Sequence, residues 1–546
     1  MDKTLVVIVG AGPAGLALAA ELGGRGVRCV VVERNDRVGY AARAKTVNVR
    51  TRTHMRRWGI ADRLAAIAPF GVDYPSNVIF VTRLNGPELA RFENAFNAAP
   101  QRDSRYPEHA QWVPQYKLEE VMRAHVAGLA SVEIRFNTEL VDATQAGDTV
   151  TARLRDLTNG REYEMEAAYM VGADGSRSRA REAIGAKMHG RSGLSHNYNI
   201  VFRAPGLAAA HRHGPGIMYW QVNPEAPSLI GPMDTGDRWF FMPTGIAPGT
   251  QLSDAEATAL IACSTGIDLP YEIISRDYWV AHRLIADCYS RERMFMIGDA
   301  CHLHPPFGGY GMNMGVADGV DLGWKMAAVL NGWGGPALLA SYETERRPIH
   351  DWVMDEAEAN HALLGNQLWV EGLEGDDAAG ERLREAAGAR VLATKVREFR
   401  TLGAVLGYCY DGSPVIAGEM AVPRDARHYT PSSRPGCVAP HAWLADGSSL
   451  YDAFRQGFAL LAGAAAEDGD LAAARAQAER RSVPLTIVRL GAEIDPELYP
   501  AALTLVRPDQ HVAWRGEQWT TAILDLVTGA HAEPKPAGRE YAVEHG

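Results

Sequence analysis

Residues 5–35 read LVVIVGAGPAGLALAAELGGRGVRCVVVERN. A β-branched apolar run leads into Gly10-x-Gly12-x-x-Gly15, then an Ala/Leu-rich stretch, then a second apolar run ending at Glu33. This order predicts a strand, a tight turn, a helix and a parallel strand. Gly10 permits the turn, Gly12 lets the backbone approach a pyrophosphate, and Gly15 lets the helix pack close to the sheet. The helix N-terminus offers N–H groups and positive dipole to phosphates. Glu33, with Arg34 beside it, stands at the end of the second strand, where a carboxylate can accept the ribose hydroxyls of an adenosine. The chain is therefore expected to bind a dinucleotide, and this motif alone does not separate FAD from NAD.

At 546 residues the chain has room for two to four domains at about 150 residues each. Its formal charge of −11 leaves no broad basic surface for a phosphate backbone, so nucleic acid is not an expected partner. No run of about 18 apolar residues occurs, and the short N-terminal apolar stretch predicts neither a membrane span nor a signal segment. A cytoplasmic protein is expected. The six cysteines (Cys29, Cys263, Cys288, Cys301, Cys409, Cys437) are scattered without a C-x-x-C pair, which predicts free thiols in a reducing compartment.

Two later segments narrow the dinucleotide. MVGADGSRSRAR (170–181) places Asp174 at a strand end, and MFMIGDACHLHPPFGGYGMN (294–313) places Asp299 after another apolar strand, followed by a Pro/Gly loop and a helix from about Met314. Cys301, His302 and His304 form a C-H-x-H cluster, but no second Cys/His cluster completes a four-ligand shell, so no metal is expected. Gly308, Gly309 and Gly311 let backbone approach a ring, and the helix end that follows can stabilise negative charge on it.

The three motifs in this order resemble the flavoprotein aromatic hydroxylases, the single-component class A FAD monooxygenases, across essentially the whole chain. The nearest branch is that of the phenol, 2-hydroxybiphenyl and hydroxyphenylpropionate hydroxylases. The resemblance implies that Gly10, Gly12, Gly15, Glu33 and Arg34 hold the ADP half of FAD, that Asp174 lies near both nucleotides, and that Asp299 binds the ribityl chain. It also implies that Arg43 and Gln115 reach the cofactor, that Gly309, Gly311, Met312 and Asn313 line the pyrimidine edge, and that Pro306 lies near the oxygen-activating position. NADH or NADPH would visit as co-substrate without a dedicated domain, since no second GxGxxG is present. The implied reaction has NAD(P)H reduce the flavin, O2 add to it as a C4a-hydroperoxide, and one oxygen pass to an electron-rich aromatic ring.

The expected fold is α/β: a Rossmann-like FAD-binding domain (1–72, 115–184 and 281–365) carrying an inserted β-sheet substrate domain (73–114 and 185–280). A helical connection (366–428) and a thioredoxin-like domain without C-x-x-C (429–546) follow. The last domain is assigned a structural or homodimer-forming role. Within the inserted sheet, IMYWQV and RWFFMP read as strands, so Met218, Trp220, Trp239 and Phe241 are candidate substrate walls. Period-2 alternation lets only one face of each strand see a ligand.

The proton acceptor for a phenol is the open point. Related 2-hydroxybiphenyl-type enzymes carry a histidine near position 45 and an aspartate before the M-Y-W strand. Here Lys45 and Ile217 stand instead. Lys45 is expected to favour a phenolate electrostatically, or the substrate is acidic already, as a nitrophenol or nitrocatechol is. His213 and His211 are alternative bases by titration range. The principal expectation is hydroxylation of a substituted phenol or catechol; the alternative is a tailoring oxygenase or epoxidase acting on a polyketide-like substrate.

Overall fold

The computed structural model describes residues 2–36, 44–361, 368–418 and 423–530. Four parallel neighbours form its first sheet's centre: Met294–Met296, Glu162–Gly172, Asp2–Val9 and Cys29–Val32, with Val132–Arg135 completing the parallel set. Cys29–Val32, Met294–Met296 and the C-terminal halves of Asp2–Val9 and Glu162–Gly172 are buried on both faces, as helix-covered parallel strands must be, which is why they read as continuous apolar runs. The helix Pro13–Gly24 lies against the long helix Gly311–Leu330. Their close approach rests on missing side chains: a Cβ at Gly319 would sit 2.6 Å from the Ala14 carbonyl oxygen, and one at Gly323 would sit 2.5 Å from Glu21 Cβ.

A second sheet orders its strands from His302–Leu303 through Glu272–Ala286, Met188–Arg203, Arg238–Pro243, Ser228–Pro232 and Met218–Gln221 to Val78–Val81 and Glu88–Phe92. The boundary expected at residue 281 falls inside the continuous strand Glu272–Ala286. This strand is paired at one end with His302–Leu303 of the Pro/Gly loop, so the second sheet runs directly into that loop. One face of the sheet packs on the helix Asp254–Thr265, and the other faces the loop and the helix Ala378–Phe399.

In the C-terminal region, Phe458–Ala462 runs parallel to Leu485–Arg489 and antiparallel to Leu503–Val506, which pairs antiparallel with Val512–Gly516. With the helices Asp468–Arg480 and Thr521–Val527 this is the thioredoxin-like arrangement. A buried charge network fastens it to the first domain: Arg507 donates to Glu345 at 2.7 Å and to Asp321 at 2.9 Å, and Lys325 joins the same two carboxylates.

The expectation of six free thiols is corrected. Cys409 and Cys437 are disulfide-bonded, tying the segment after the helix Leu402–Leu406 to the C-terminal domain. Spacing could not reveal it, because the two cysteines are brought together by antiparallel pairing of segments 28 residues apart.

Candidate functional site

Four sequence motifs meet at the carboxyl ends of the parallel strands, the edge at which open α/β sheets bind ligands. Gly10 has φ +108°, and a Cβ there would lie 2.3 Å from the Ala173 carbonyl oxygen. A Cβ on Gly15 would lie 2.0 Å from the Gly10 carbonyl oxygen, so Gly10 and Gly15 are required by the packing of turn, helix and sheet. Gly12 differs: nothing in the protein lies within 4 Å of its Cβ position, at the uncapped N-terminus of Pro13–Gly24. That open space, beside N–H groups with no side-chain cap, fits a pyrophosphate. Glu33 accepts the Ala11 N–H at 2.8 Å and the Asn35 N–H and side chain at 3.0 Å, which aims its carboxylate across the glycine turn. Arg34 is exposed beside it. Arg43 lies outside the described residues.

Asp174 is engaged within the protein. Its carboxylate accepts the Ser178 hydroxyl and the N–H groups of Arg179 (2.7 Å) and Ala180 (3.1 Å), so it holds the start of the helix Arg179–Ile184. Burial raises its pKa against those hydrogen bonds. Gln115, at the first position of Gln115–Ala127, donates to Glu119 at 2.8 Å. Asp299 sits exposed one residue after Gly298, whose φ of +60° turns the chain out of the strand.

The Pro/Gly loop delivers the chain to a helix that starts at Gly311, earlier than the Met314 expected. The first helical hydrogen bond runs from the Met314 N–H to the Tyr310 carbonyl, so the N–H groups of Gly311, Met312 and Asn313 precede the ladder and form a donor edge. The Asn313 side chain is engaged within the protein. Its oxygen accepts the Asn48 N–H (3.0 Å) and the Thr51 hydroxyl (2.8 Å), while its amide donates to the carbonyls of Thr46 (2.9 Å) and Gly309 (2.8 Å). Asn313 thereby pins the segment carrying Lys45 to the loop. Pro306 is exposed at the loop's crest, and its carbonyl accepts the Gly309 N–H at 3.4 Å.

Cys301 and His302 do come together with Asp318, their ligand atoms lying within 4.8 Å of one another. The set does not fit a metal. Asp318 also takes Arg346 (2.8 Å), His350 (2.9 Å) and the Gly298 N–H (3.0 Å), so an added cation would share one carboxylate with a guanidinium. Burial pushes the Cys301 thiol well above its usual range, against thiolate ligation. His302 binds Asp318 at 2.7 Å, and His304 packs edge-on to His302, with burial holding its pKa well below the usual value. The histidines are the wall of the loop. Asp318, Arg346 and His350 belong to no motif of their own; Asp318 is the first of two aspartates in VADGVD on the long helix.

Alternation sorts the candidate substrate walls. Trp220 and Met218 point to the loop side of the second sheet, with Phe240, Met242 and Phe307. Trp220 stacks on Phe80 at 5.6 Å and lies 6.0 Å from Phe307. Trp239 and Phe241 are a correction: both lie on the opposite face with Tyr219, packed toward the helix Asp254–Thr265. Within RWFFMP the ring that faces the loop is Phe240. His211 and His213 accompany the wrong face. His211 lies 5.0 Å from the Tyr219 ring, and His213 stands 5.9 Å from His211 and 3.7 Å from Glu88. Burial pulls His211 down to about 4 and lowers His213. Lys45 is on the loop side, its Nζ 4.0 Å from the centroid of the Phe240 ring, and burial lowers its pKa to about 8.

Comparison with known proteins agrees with this geometry. Residues 3–357 match the FAD binding domain family, and residues 432–531 match the aromatic-ring hydroxylase C-terminal family. The chain is 32% identical to the tetracenomycin B2 monooxygenase-dioxygenase of Streptomyces olivaceus, covering 96% of this chain and 97% of that protein. It is 30% identical to the 2,4-dichlorophenol 6-monooxygenase of Delftia acidovorans, covering 97% of each. Among solved structures, the rebeccamycin biosynthetic enzyme RebC with reduced flavin superposes with a TM-score of 0.89 at 32% identity, over 97% of this chain and 99% of that one. With the strand-end glycines, the open space at Gly12 and the donor edge at Gly311–Asn313 in place, the chain belongs to the FAD-dependent aromatic-ring hydroxylases, single-component flavoprotein monooxygenases.

Proposed function

We propose that this enzyme uses NADH or NADPH and O2 to hydroxylate a phenol or catechol bound as its phenolate beside Lys45. The observation that carries this is the position of Lys45: an ammonium over Phe240, on the ring-lined face that also presents Trp220 and Phe307 of the loop. Bound FAD would supply the activated oxygen, held by Gly10, Gly12 and Glu33 at its ADP end and by the N–H groups of Gly311–Asn313 at its ring. The protein's own part is to orient the substrate ring, keep water out and hold negative charge on it. A phenolate is the electron-rich form of the ring, and a neighbouring cation lowers the phenol's pKa, so the phenol gives its proton to solvent on binding and Lys45 stabilises the anion left behind, in place of a carboxylate base. Ile217, 1% exposed in the same cluster, keeps that wall apolar.

Relatives named for phenol and 2,4-dichlorophenol support a single-ring substrate. A polycyclic, polyketide-like phenol is the second reading, favoured by the relatives named for tetracenomycin and aklavinone, whose chains this one matches over nearly its whole length. The test is substrate-stimulated NAD(P)H oxidation across simple phenols, nitrophenols, catechols and fused polycyclic phenols, with product mass. A gain of one oxygen atom, lost in Lys45→Met without loss of FAD, supports the phenolate reading. Unchanged turnover and unchanged pH dependence in Lys45→Met would overturn it.

A further inference from the structure

The helix Ala378–Phe399 lies between the two matched families, covered by neither. It nevertheless puts two charged residues, Lys395 and Glu398, into the apolar cluster of the loop-side face. Lys395 is fully buried and donates to Glu398 at 2.9 Å and to the Asn360 carbonyl at 3.2 Å. Its Nζ lies 4.7 Å from the Trp220 ring centroid and 5.7 Å from that of Phe307. A buried ion pair is weak evidence for stability, since apolar residues of similar volume usually do as well or better. Its presence in an aromatic wall calls for another reason.

Asn360 supplies one. It is 1% exposed, and both its side-chain nitrogen and its side-chain oxygen are buried without a hydrogen-bond partner among the described residues. The indole nitrogen of Trp220 is in the same condition. The great majority of buried polar atoms are paired, and Lys395 links these two residues, bonding the Asn360 backbone carbonyl while its Nζ stands over the Trp220 ring, so their unpaired groups are available to a ligand's polar atoms.

Resting on the reading that this face binds the aromatic substrate, we infer that Asn360, Trp220 and the Lys395–Glu398 pair form a second recognition point, which takes an uncharged oxygen-bearing substituent remote from the ring carbon that is hydroxylated. The amide offers one donor and one acceptor group, and the indole a donor, which suits a carbonyl or hydroxyl. Glu398 neutralises Lys395, so this point carries no net charge and disfavours a second anion. Lys45 over Phe240 is unlike it, being the charged end of the same face. The two rings are carried by strands two places apart in the sheet, about 10 Å at the usual strand spacing. A substrate engaging both ends is therefore longer than one ring.

The test uses the FAD-loaded full chain and three probes: 4-phenylphenol, the same molecule with an acetyl group on the remote ring, and the same with a carboxylate there. Binding is read from the change in flavin absorbance, without turnover. The acetyl probe is expected to bind about tenfold tighter than the unsubstituted one, and the carboxylate probe more weakly than the acetyl one. In Asn360→Leu, or Asn360→Ser if the first fails to fold, the acetyl preference disappears while the affinity for 4-phenylphenol stays. In Glu398→Gln the unneutralised Lys395 turns the preference toward the carboxylate. Equal affinity for all three probes in the unmodified protein, or equal weakening of all three in the Asn360 variant, overturns the inference alone. A protein that binds none of the three while simple phenols stimulate its NAD(P)H oxidation overturns this inference alone; one that no phenol stimulates overturns the phenol reading and this inference with it.

Discussion

The Lys45 ammonium lies 4.0 Å from the centroid of the Phe240 ring. A cation over a ring face is attracted by the ring quadrupole, yet burial lowers its pKa to about 8, so it carries charge at neutral pH and loses it across the mildly alkaline range. Phenolate binding should therefore weaken as pH rises through about 8, and Lys45→Met should remove that alkaline limb from the pH profile of NAD(P)H oxidation. The stability sign is opposite in sense. A lysine whose folded pKa lies below the unfolded value of about 10.4 disfavours folding at low pH, and stability gains from this group as pH rises from 8 toward 10.4. Thermal melts of substrate-free Lys45→Met at pH 7 should show unchanged or higher stability.

Gly12 and Gly15 should fail differently. The Gly12 Cβ position is open and its φ is −75°, so Gly12→Val should fold with a loss of about 1 kcal/mol or less and purify without flavin colour. Gly15→Val drives a side chain into the Gly10 carbonyl, and should lower stability by about 1–3 kcal/mol as well as FAD content. Flavin absorbance per protein and denaturant melts separate the two.

Opposite faces of one strand should separate in the same way. Phe240→Leu is expected to raise KM for the aromatic substrate several-fold with near-normal stability, because that ring faces Lys45. Phe241→Leu, on the Asp254–Thr265 side, is expected to lower stability by about 1 kcal/mol with KM unchanged. Steady-state kinetics beside thermal melts decide the matter, and a KM effect confined to Phe241→Leu would reverse the assignment of faces.

Burial alone would raise the Asp318 pKa, but His350 and Arg346 hold it well below the carboxylate range. A carboxylate depressed in this way adds stability that is present above its unfolded pKa of about 3.9 and is lost as pH falls toward the folded value. Asp318→Asn should flatten the acid limb of the stability profile. Because it leaves Arg346 buried without its counter-charge, it should also destabilise by about 3–5 kcal/mol. Urea melts between pH 3 and 7 provide the measurement.

The Cys409–Cys437 bridge should leave four titratable thiols in the denatured, unreduced protein and six after reduction. Cross-linking residues 28 apart is worth about 3–4 kcal/mol through the unfolded chain's entropy, so reductant or Cys409→Ser should lower Tm. Six thiols without reductant would show that the bridge is not formed.

Local chemistry made the cofactor end legible. Gly10, Gly12, Gly15 and Glu33 have meaning within one strand-turn-helix-strand unit, because the conformations they need are set by neighbours a few residues away. Asp299 and the Pro/Gly loop belong with them, being read from the end of one strand. The substrate end was less legible. WFFM alternates without saying which parity faces inward, so the pattern alone does not favour Phe240 over Trp239 and Phe241.

What the sequence alone determined is the α/β class, the dinucleotide turn and the order of the flavin motifs, since each depends on steric rules acting over short stretches. What only the tertiary structure decided is which face of the second sheet meets the loop, that Cys409 reaches Cys437, and that Asn360, Lys395 and Glu398 gather beside Trp220. Those relations join residues tens to hundreds of positions apart, and they arise from how whole elements pack, which no local pattern records.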